Sequence, residues 1–110
     1  MALVELNEAK TYLRVDTSDD DSLIGILLSS ACRLCADVAR LTDAQWAVVD
    51  GADDENELYT EDVLSHVQEI MKVAILYSLG YLYEHREEAD HHDLTITLRS
   101  LLFAVREGVW

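Results

Sequence analysis

Two cysteines stand three residues apart in the segment Cys32-Arg33-Leu34-Cys35. Thiols at this spacing can carry redox chemistry when the first lies at a helix N-terminus, because the helix dipole there lowers its pKa. Here a helical pattern already runs from Ser22 to Cys32, which places both cysteines inside a helix. We therefore expect Cys35 to fill the core and Cys32 to lie near its edge, since free cysteine often behaves as a small buried hydrophobe.

A zinc site is the alternative use of these thiols. Cys32 and Cys35 lie one helical turn apart, and His91-His92 could supply two more ligands to a small zinc-dependent enzyme. The spacing between the two pairs fits no standard zinc finger, and adjacent histidine side chains usually diverge. His66 and His85 have no nucleophile placed with them in the sequence, so we interpret them as solvated or interface side chains.

Three consecutive aspartates, Asp19–Asp21, raise the question of a calcium site. An EF-hand needs alternate acids, a glycine and a terminal glutamate, and that pattern is missing here. We expect these aspartates to cap the helix that follows. The chain also has no glycine-rich phosphate loop, HExxH or GxSxG motif. The sequence thus predicts a protein that is not an enzyme, with no catalytic residues, no metal site and no cofactor.

The composition fits one small globular domain, residues 1–110. Half of the residues are hydrophobic, whereas 22 acidic residues against 8 basic ones give a net charge of −14. This excess argues against a nucleic-acid reader and against binding to an anionic membrane. The longest apolar stretch, Val73–Tyr83, has about half the length of a membrane-spanning helix. With two cysteines and no secretory signal, we expect a soluble protein that folds in a reducing compartment.

The absence of proline, together with many Leu, Ala and Glu residues, predicts an all-α fold. We expect a small bundle of four main helices with a long central third helix that begins after Thr60 and an irregular acidic loop at about 42–60. Within that loop, Thr42 could cap a short helix through Val49 that ends at Gly51. The four helices are predicted at about 6–13, 22–41, 61–88 and 94–107, the last followed by a stop at Gly108.

The central helix is apolar on nearly all sides. Between Val73 and Tyr83, Ser78 is the only clearly polar side chain. Such a helix is either central in its own domain or shared with a neighbour. Gly80 weakens the helix, which predicts close approach of another backbone at that position.

Four segments, taken in order, carry a family pattern: Leu6–Asp16, Asp20–Ile24, Ala74–Glu87 and Leu101–Arg106. The first two segments resemble one family's opening Leu-x-x-Ala/Val-Lys-x-Tyr/His-Leu-Arg and the Asp-Asp-x-Leu-Ile start of its next helix. The last two resemble the Ala-Ile-Leu…Leu-Tyr-Glu-x-Arg-Glu end of that family's long helix and its closing Leu-Leu…Arg. This is the head–tail connector (adaptor) family of tailed bacteriophages, small all-helical proteins often labelled DNA-packaging proteins. The family's Thr-Gly turn after the second helix and its proline at the start of the long helix are missing here. The resemblance therefore does not extend to the middle loop.

The resemblance implies a structural role in virion assembly. Such proteins form a ring under the capsid portal, extend the DNA channel and dock the next head-completion or tail protein. The resemblance implies an oligomeric ring of about a dozen copies, in which a heterologous interface repeats until the ring closes. It also implies a location at the virion head–tail junction, after synthesis in the bacterial host cytoplasm. Genomic DNA would pass without sequence-specific binding, which suits an acidic wall, although solubility alone also explains the acidity.

Apolar ends and aromatic side chains are candidates for subunit or portal contacts, although each could equally pack within its own chain. The scarce cations Arg14, Arg86, Arg99 and Arg106 could pair with the acidic loop of a neighbouring subunit or form ordinary surface pairs. The predicted interface residues are Leu3, Val4, Trp46, Tyr59, Arg86, Arg106, Val109 and Trp110. An alternative function follows from residues 50–62, which hold seven acids and no base. The chain would then be an acidic regulatory or DNA-mimic protein that binds a basic partner through this stretch.

Overall fold

Helices supply all the regular secondary structure of the residues that the computed structural model describes, which are 2–51, 58–85, 87 and 90–108. This confirms the all-α prediction. The helices are α1 (Leu6–Leu13), α2 (Asp21–Val38), α3 (Asp43–Val49), α4 (Glu61–Glu84), α5 (His92–Leu101) and α6 (Phe103–Glu107).

The centre of the molecule is the contact between α2 and α4, the most extensive of its helix pairs. Both helices turn a stripe of buried side chains toward each other, at the helical spacing that their sequences predict. α1 and α5 each pack against both helices of this pair. The fully buried side chains of α2, α4 and the α5–α6 region include Ile24, Ala31, Cys35, Met71, Ala74, Ile75, Leu79, Leu94, Leu98 and Leu102.

α1 is held against both central helices by ion pairs. Lys10 pairs with Asp21 at the start of α2, with 2.7 Å between Nζ and Oδ1, and Glu8 pairs with Lys72 on α4. The prediction that the aspartates cap α2 is wrong for Asp20, whose side chain makes no capping hydrogen bond. Its carboxylate instead accepts a hydrogen bond of 2.9 Å from the Tyr83 hydroxyl, which ties the start of α2 to the end of α4.

Two arginines end helices in the left-handed conformation that glycine more often adopts. Arg14 follows α1 with φ 60°, and Arg40 follows α2 with φ 58°. After α2, the N–H of Leu41 donates to the carbonyl of Ala36 at 3.0 Å and so closes the helix end. This turn ends α2 at Val38, earlier than the predicted Leu41.

The predicted loop at 42–60 contains the short helix α3. Thr42 Oγ1 accepts from the Gln45 N–H at 3.1 Å, and Gln45 Oε1 accepts from the Thr42 N–H at 2.9 Å, a complete capping box. Gln68 of α4 donates to the carbonyl of Val49 at 3.1 Å, and Gly51 follows with φ 79°. The short-helix option was therefore correct. The acids from 53 to 57 lie outside the described residues.

α4 begins as predicted, because Thr60 Oγ1 accepts from the Val63 N–H at 3.3 Å. It ends at Glu84, before the predicted 88, where His85 leaves the helical conformation. The predicted helix at 94–107 is divided into α5 and α6 by Leu102, which has φ −100° and a fully buried side chain. The predicted stop at Gly108 is confirmed by its left-handed φ of 66°.

Gly80 meets a side chain rather than the expected backbone. A Cβ atom at this position would lie 3.2 Å from Cε2 of the Tyr12 ring. The glycine therefore makes room for a tyrosine of α1 on the surface of α4. Among the described helices, none is both long and apolar enough to cross a membrane.

Candidate interaction surfaces

The two thiols of α2 are protonated at neutral pH. Burial raises the pKa of Cys35 to about 11, an effect only partly opposed by the Ser78 hydroxyl, whose oxygen lies 3.3 Å from the Cys35 sulfur. Burial, with a smaller contribution from the charge of Asp50, raises the pKa of Cys32 to about 12. Neither thiol resembles the activated thiolate that redox or metal chemistry requires. The structure confirms that Cys35 fills the core and that Cys32 lies at its edge.

Of the two histidines that the zinc alternative needs, His91 makes an aromatic contact with Tyr81, a ring that His85 also contacts. The rings of His85 and Tyr81 are stacked with centroids 4.3 Å apart, and the ring of His91 meets Tyr81 edge-on at 5.9 Å. Across the described part of the chain, no group of three or more His, Cys, Asp or Glu side chains is arranged to hold a metal ion. The zinc alternative therefore finds no site there.

Two of the predicted interface residues line one groove. Val4 and Trp46 meet in a groove of about 330 Å³ that the N-terminal segment, α2 and α3 enclose. The N–H of Leu3 donates to Asp50 Oδ1 at 2.9 Å, which fixes the N-terminal segment to the end of α3. The Val4 side chain is buried, whereas Leu3 and Trp46 are half-buried and pack against the core. Leu3 and Trp46 are the more accessible members of this group.

The other predicted interface residues are dispersed. Tyr59 is buried just before α4, and burial raises the pKa of its hydroxyl. Arg106 lies on α6 in a different groove. Arg86, Val109 and Trp110 lie outside the described residues.

An apolar surface on α4 was not singled out residue by residue in the sequence. Val73 is 59% exposed, and it lines a groove of about 250 Å³ with Glu69, Ile70 and Leu101. We name these four residues the outer groove. Its only sequence signal is the apolar character of α4 on all sides, which does not indicate which side stays uncovered.

A second overlooked surface is cationic. Arg40, Arg99 and Arg106 line a groove of about 290 Å³ with Asp37, Val38 and Thr95. We name it the arginine groove. The end of α2 supplies one arginine, and α5 and α6 supply the others. The sequence shows these arginines only as scarce cations, of which Arg106 is a predicted interface residue, and it does not indicate that the three meet.

Comparison with known families gives one match. A family model described as "Phage gp6-like head-tail connector protein" matches residues 4–107. No curated protein sequence and no solved structure matches the chain.

Proposed function

The chain belongs to the phage gp6-like head-tail connector family, and we propose that its copies form a closed ring of about a dozen subunits beneath the portal. Membership makes the chain a structural connector protein of the phage virion that associates with other head and tail proteins. In the proposed ring, one rim contacts the portal and the other docks the next head-completion or tail protein. The family match over 4–107 is the observation that carries this proposal.

The outer groove is a candidate contact surface between neighbouring subunits of the proposed ring. Two of its apolar residues, Ile70 and Val73, lie on α4 and the third, Leu101, lies on α5, so a neighbouring subunit bound there would contact two helices of the bundle. A ring needs two different complementary surfaces on each copy, because a head-to-tail interface joins unlike patches. The groove with Val4 and Trp46 is a candidate for a second surface, toward another copy or the portal.

The net charge of −14 supports a channel that DNA passes through without being held. Phosphate groups and a strongly acidic protein repel each other over roughly a Debye length. A channel wall of this charge would keep DNA from binding. The proposed location is the head–tail junction of the virion, after synthesis in the cytoplasm of the bacterial host.

The oligomeric state tests this function directly. We expect native mass spectrometry and sedimentation velocity over a concentration series to show a closed high-order species, alone or on added portal. Val73→Glu should weaken its formation at least tenfold, because a charge in the outer groove would have to be desolvated at the contact.

Ile26→Glu is the matched control, since Ile26 is an equally exposed apolar residue on α2, outside the outer groove. If both variants lose the ring to the same extent, the cause is the added negative charge and not the disruption of the outer groove. A monomer that stays monomeric with portal present, and that captures a basic protein through residues 50–62, would instead favour the DNA-mimic alternative.

A further inference from the structure

The cations of this chain fall into two groups. Both described lysines are paired, Lys10 with Asp21 and Lys72 with Glu8. By contrast, none of the described arginines lies within ion-pair distance of a described acidic side chain. Three of these arginines line the arginine groove, and Arg14 and Arg33 lie elsewhere. In a chain with 22 acids, cations without a partner are a local departure from the general charge pattern.

The arginine groove is lined by three arginines and one acid, Asp37, and one of its arginine donors lacks a partner. The Nε atom of Arg106 is buried and has no hydrogen-bond partner among the described residues. A buried donor without an acceptor is unfavourable, and Arg106, which carries this atom, is one of the residues that line the groove. The planar guanidinium group presents paired N–H donors that match both oxygens of a carboxylate.

Arg40 adds a third cation to the groove, from a position with an uncommon backbone conformation. Its φ of 58° is the left-handed conformation in which glycine would be less strained. An arginine here retains the turn after α2 and places its side chain beside the groove that Arg99 and Arg106 line. A chain that needed only the turn could use glycine or asparagine.

We propose that the arginine groove binds carboxylates from the acidic stretch 50–62 of a second copy of this chain. This deepens the proposed function and rests on it, because it names one contact of the ring. The stretch holds seven acids and no base, so it complements the groove in charge. Each copy has both the groove and the stretch, and this unlike pair is what a head-to-tail ring requires.

DNA phosphate is the competing ligand for the same donors, and the charge of the whole chain disfavours it. A duplex that approaches the groove meets the net charge of −14 along its length. Duplex binding also requires cations clustered over a wider surface than one groove.

If these arginines only stabilised the folded monomer, replacing them would have a different effect. Arg99 and Arg106 stand in the last turns of α5 and α6, where a positive charge favours the helix dipole. If this were their whole role, their replacement would lower the stability of the monomer and leave association unchanged. The experiment must therefore measure folding and association separately.

The matched pair is Arg40→Gln and Arg14→Gln. Both arginines are exposed, both follow a helix with a left-handed backbone, and only Arg40 lines the arginine groove. We expect Arg40→Gln, and more strongly Arg99→Gln/Arg106→Gln, to weaken ring formation at least tenfold in sedimentation velocity. Arg14→Gln should assemble like the original chain. Circular dichroism and thermal unfolding check that each variant folds.

A peptide assay removes the dependence on ring formation. A labelled synthetic peptide of residues 50–62 should bind the folded chain in fluorescence anisotropy, more weakly as salt rises, and at least tenfold more weakly to the Arg99→Gln/Arg106→Gln variant. A peptide with its acids changed to Asn and Gln should not bind. A duplex oligonucleotide should not displace the acidic peptide.

The outcomes separate the two proposals. Rings that form equally well in the groove variants would overturn the groove contact and leave the proposed function standing. Displacement of the peptide by duplex DNA, or equal loss in Arg14→Gln, would also overturn it. If no ring forms with or without portal but the peptide binds the arginine groove, the ring proposal fails and the carboxylate site remains.

Discussion

Two faces of α4 consist of similar side chains but have opposite surroundings. On the inner face, Ile75 and Leu79 are fully buried against the rest of the bundle. On the outer face, Val73 is 59% and Tyr77 40% exposed. Helical propensity does not separate these faces, because both belong to one helix. The difference lies in which face the other helices cover: the inner face is buried in the core, and the outer face is left for the contact that we propose between subunits.

The largest expected effect is a loss of stability caused by a substitution on the inner face of α4. Ile75→Ala should lower the free energy of unfolding by about 2–5 kcal/mol, because it leaves a cavity in a closely packed core. Val73→Ala should change it by less than about 0.5 kcal/mol, since its side chain is mostly in water already. Urea denaturation of both variants measures the difference. Similar losses at the two positions would mean that the outer face also contributes to folding.

The next effect concerns the thiol at the contact between α2 and α4. At pH 8, Cys35 in the folded chain should react with iodoacetamide at least about a hundredfold more slowly than in the unfolded chain, because its side chain is fully buried and burial also raises its pKa to about 11. The rate should rise as the pH approaches that value. Labelling with mass-spectrometric detection, on Cys32→Ser to isolate one thiol, measures it. Equal rates in buffer and in urea would contradict a closed inner face.

The smallest effect concerns Gly80, which lies half-buried on α4 beneath the Tyr12 ring. Gly80→Ala gains up to about 1 kcal/mol of helix propensity. Part of this gain is lost because the ring, 3.2 Å from the new Cβ, must move. Tyr12 is half exposed and can turn away, so we expect net stabilisation of about 0.5 kcal/mol. Thermal unfolding of Gly80→Ala with and without Tyr12→Ala measures the coupling, and net destabilisation would show that the ring is fixed.

Much of the fold could be predicted because its signals are local. Thr60 and Thr42 stand directly before the helices they cap, and the spacing of apolar residues in α1 and α4 is helical. The ends of helices were less predictable. The break at Leu102 has no glycine or proline to mark it.

The candidate site was predictable only in outline. Trp46 and Val4 were proposed for their apolar character, and the structure places both in one groove. The arginine groove could not be predicted, because Arg40 is distant in sequence from Arg99 and Arg106 and reaches them only through helix packing.

The sequence by itself determined the helical class, the cap residues Thr42 and Thr60, the acidic excess and the family pattern. Each depends on residue types or on neighbours within a few positions, where hydrogen bonds and periodicity operate. Only the tertiary structure decided which side of α4 is covered, that Asp20 pairs with Tyr83 instead of capping α2, and that three arginines meet. These outcomes depend on contacts between distant segments, which form when the whole chain buries the most apolar surface it can.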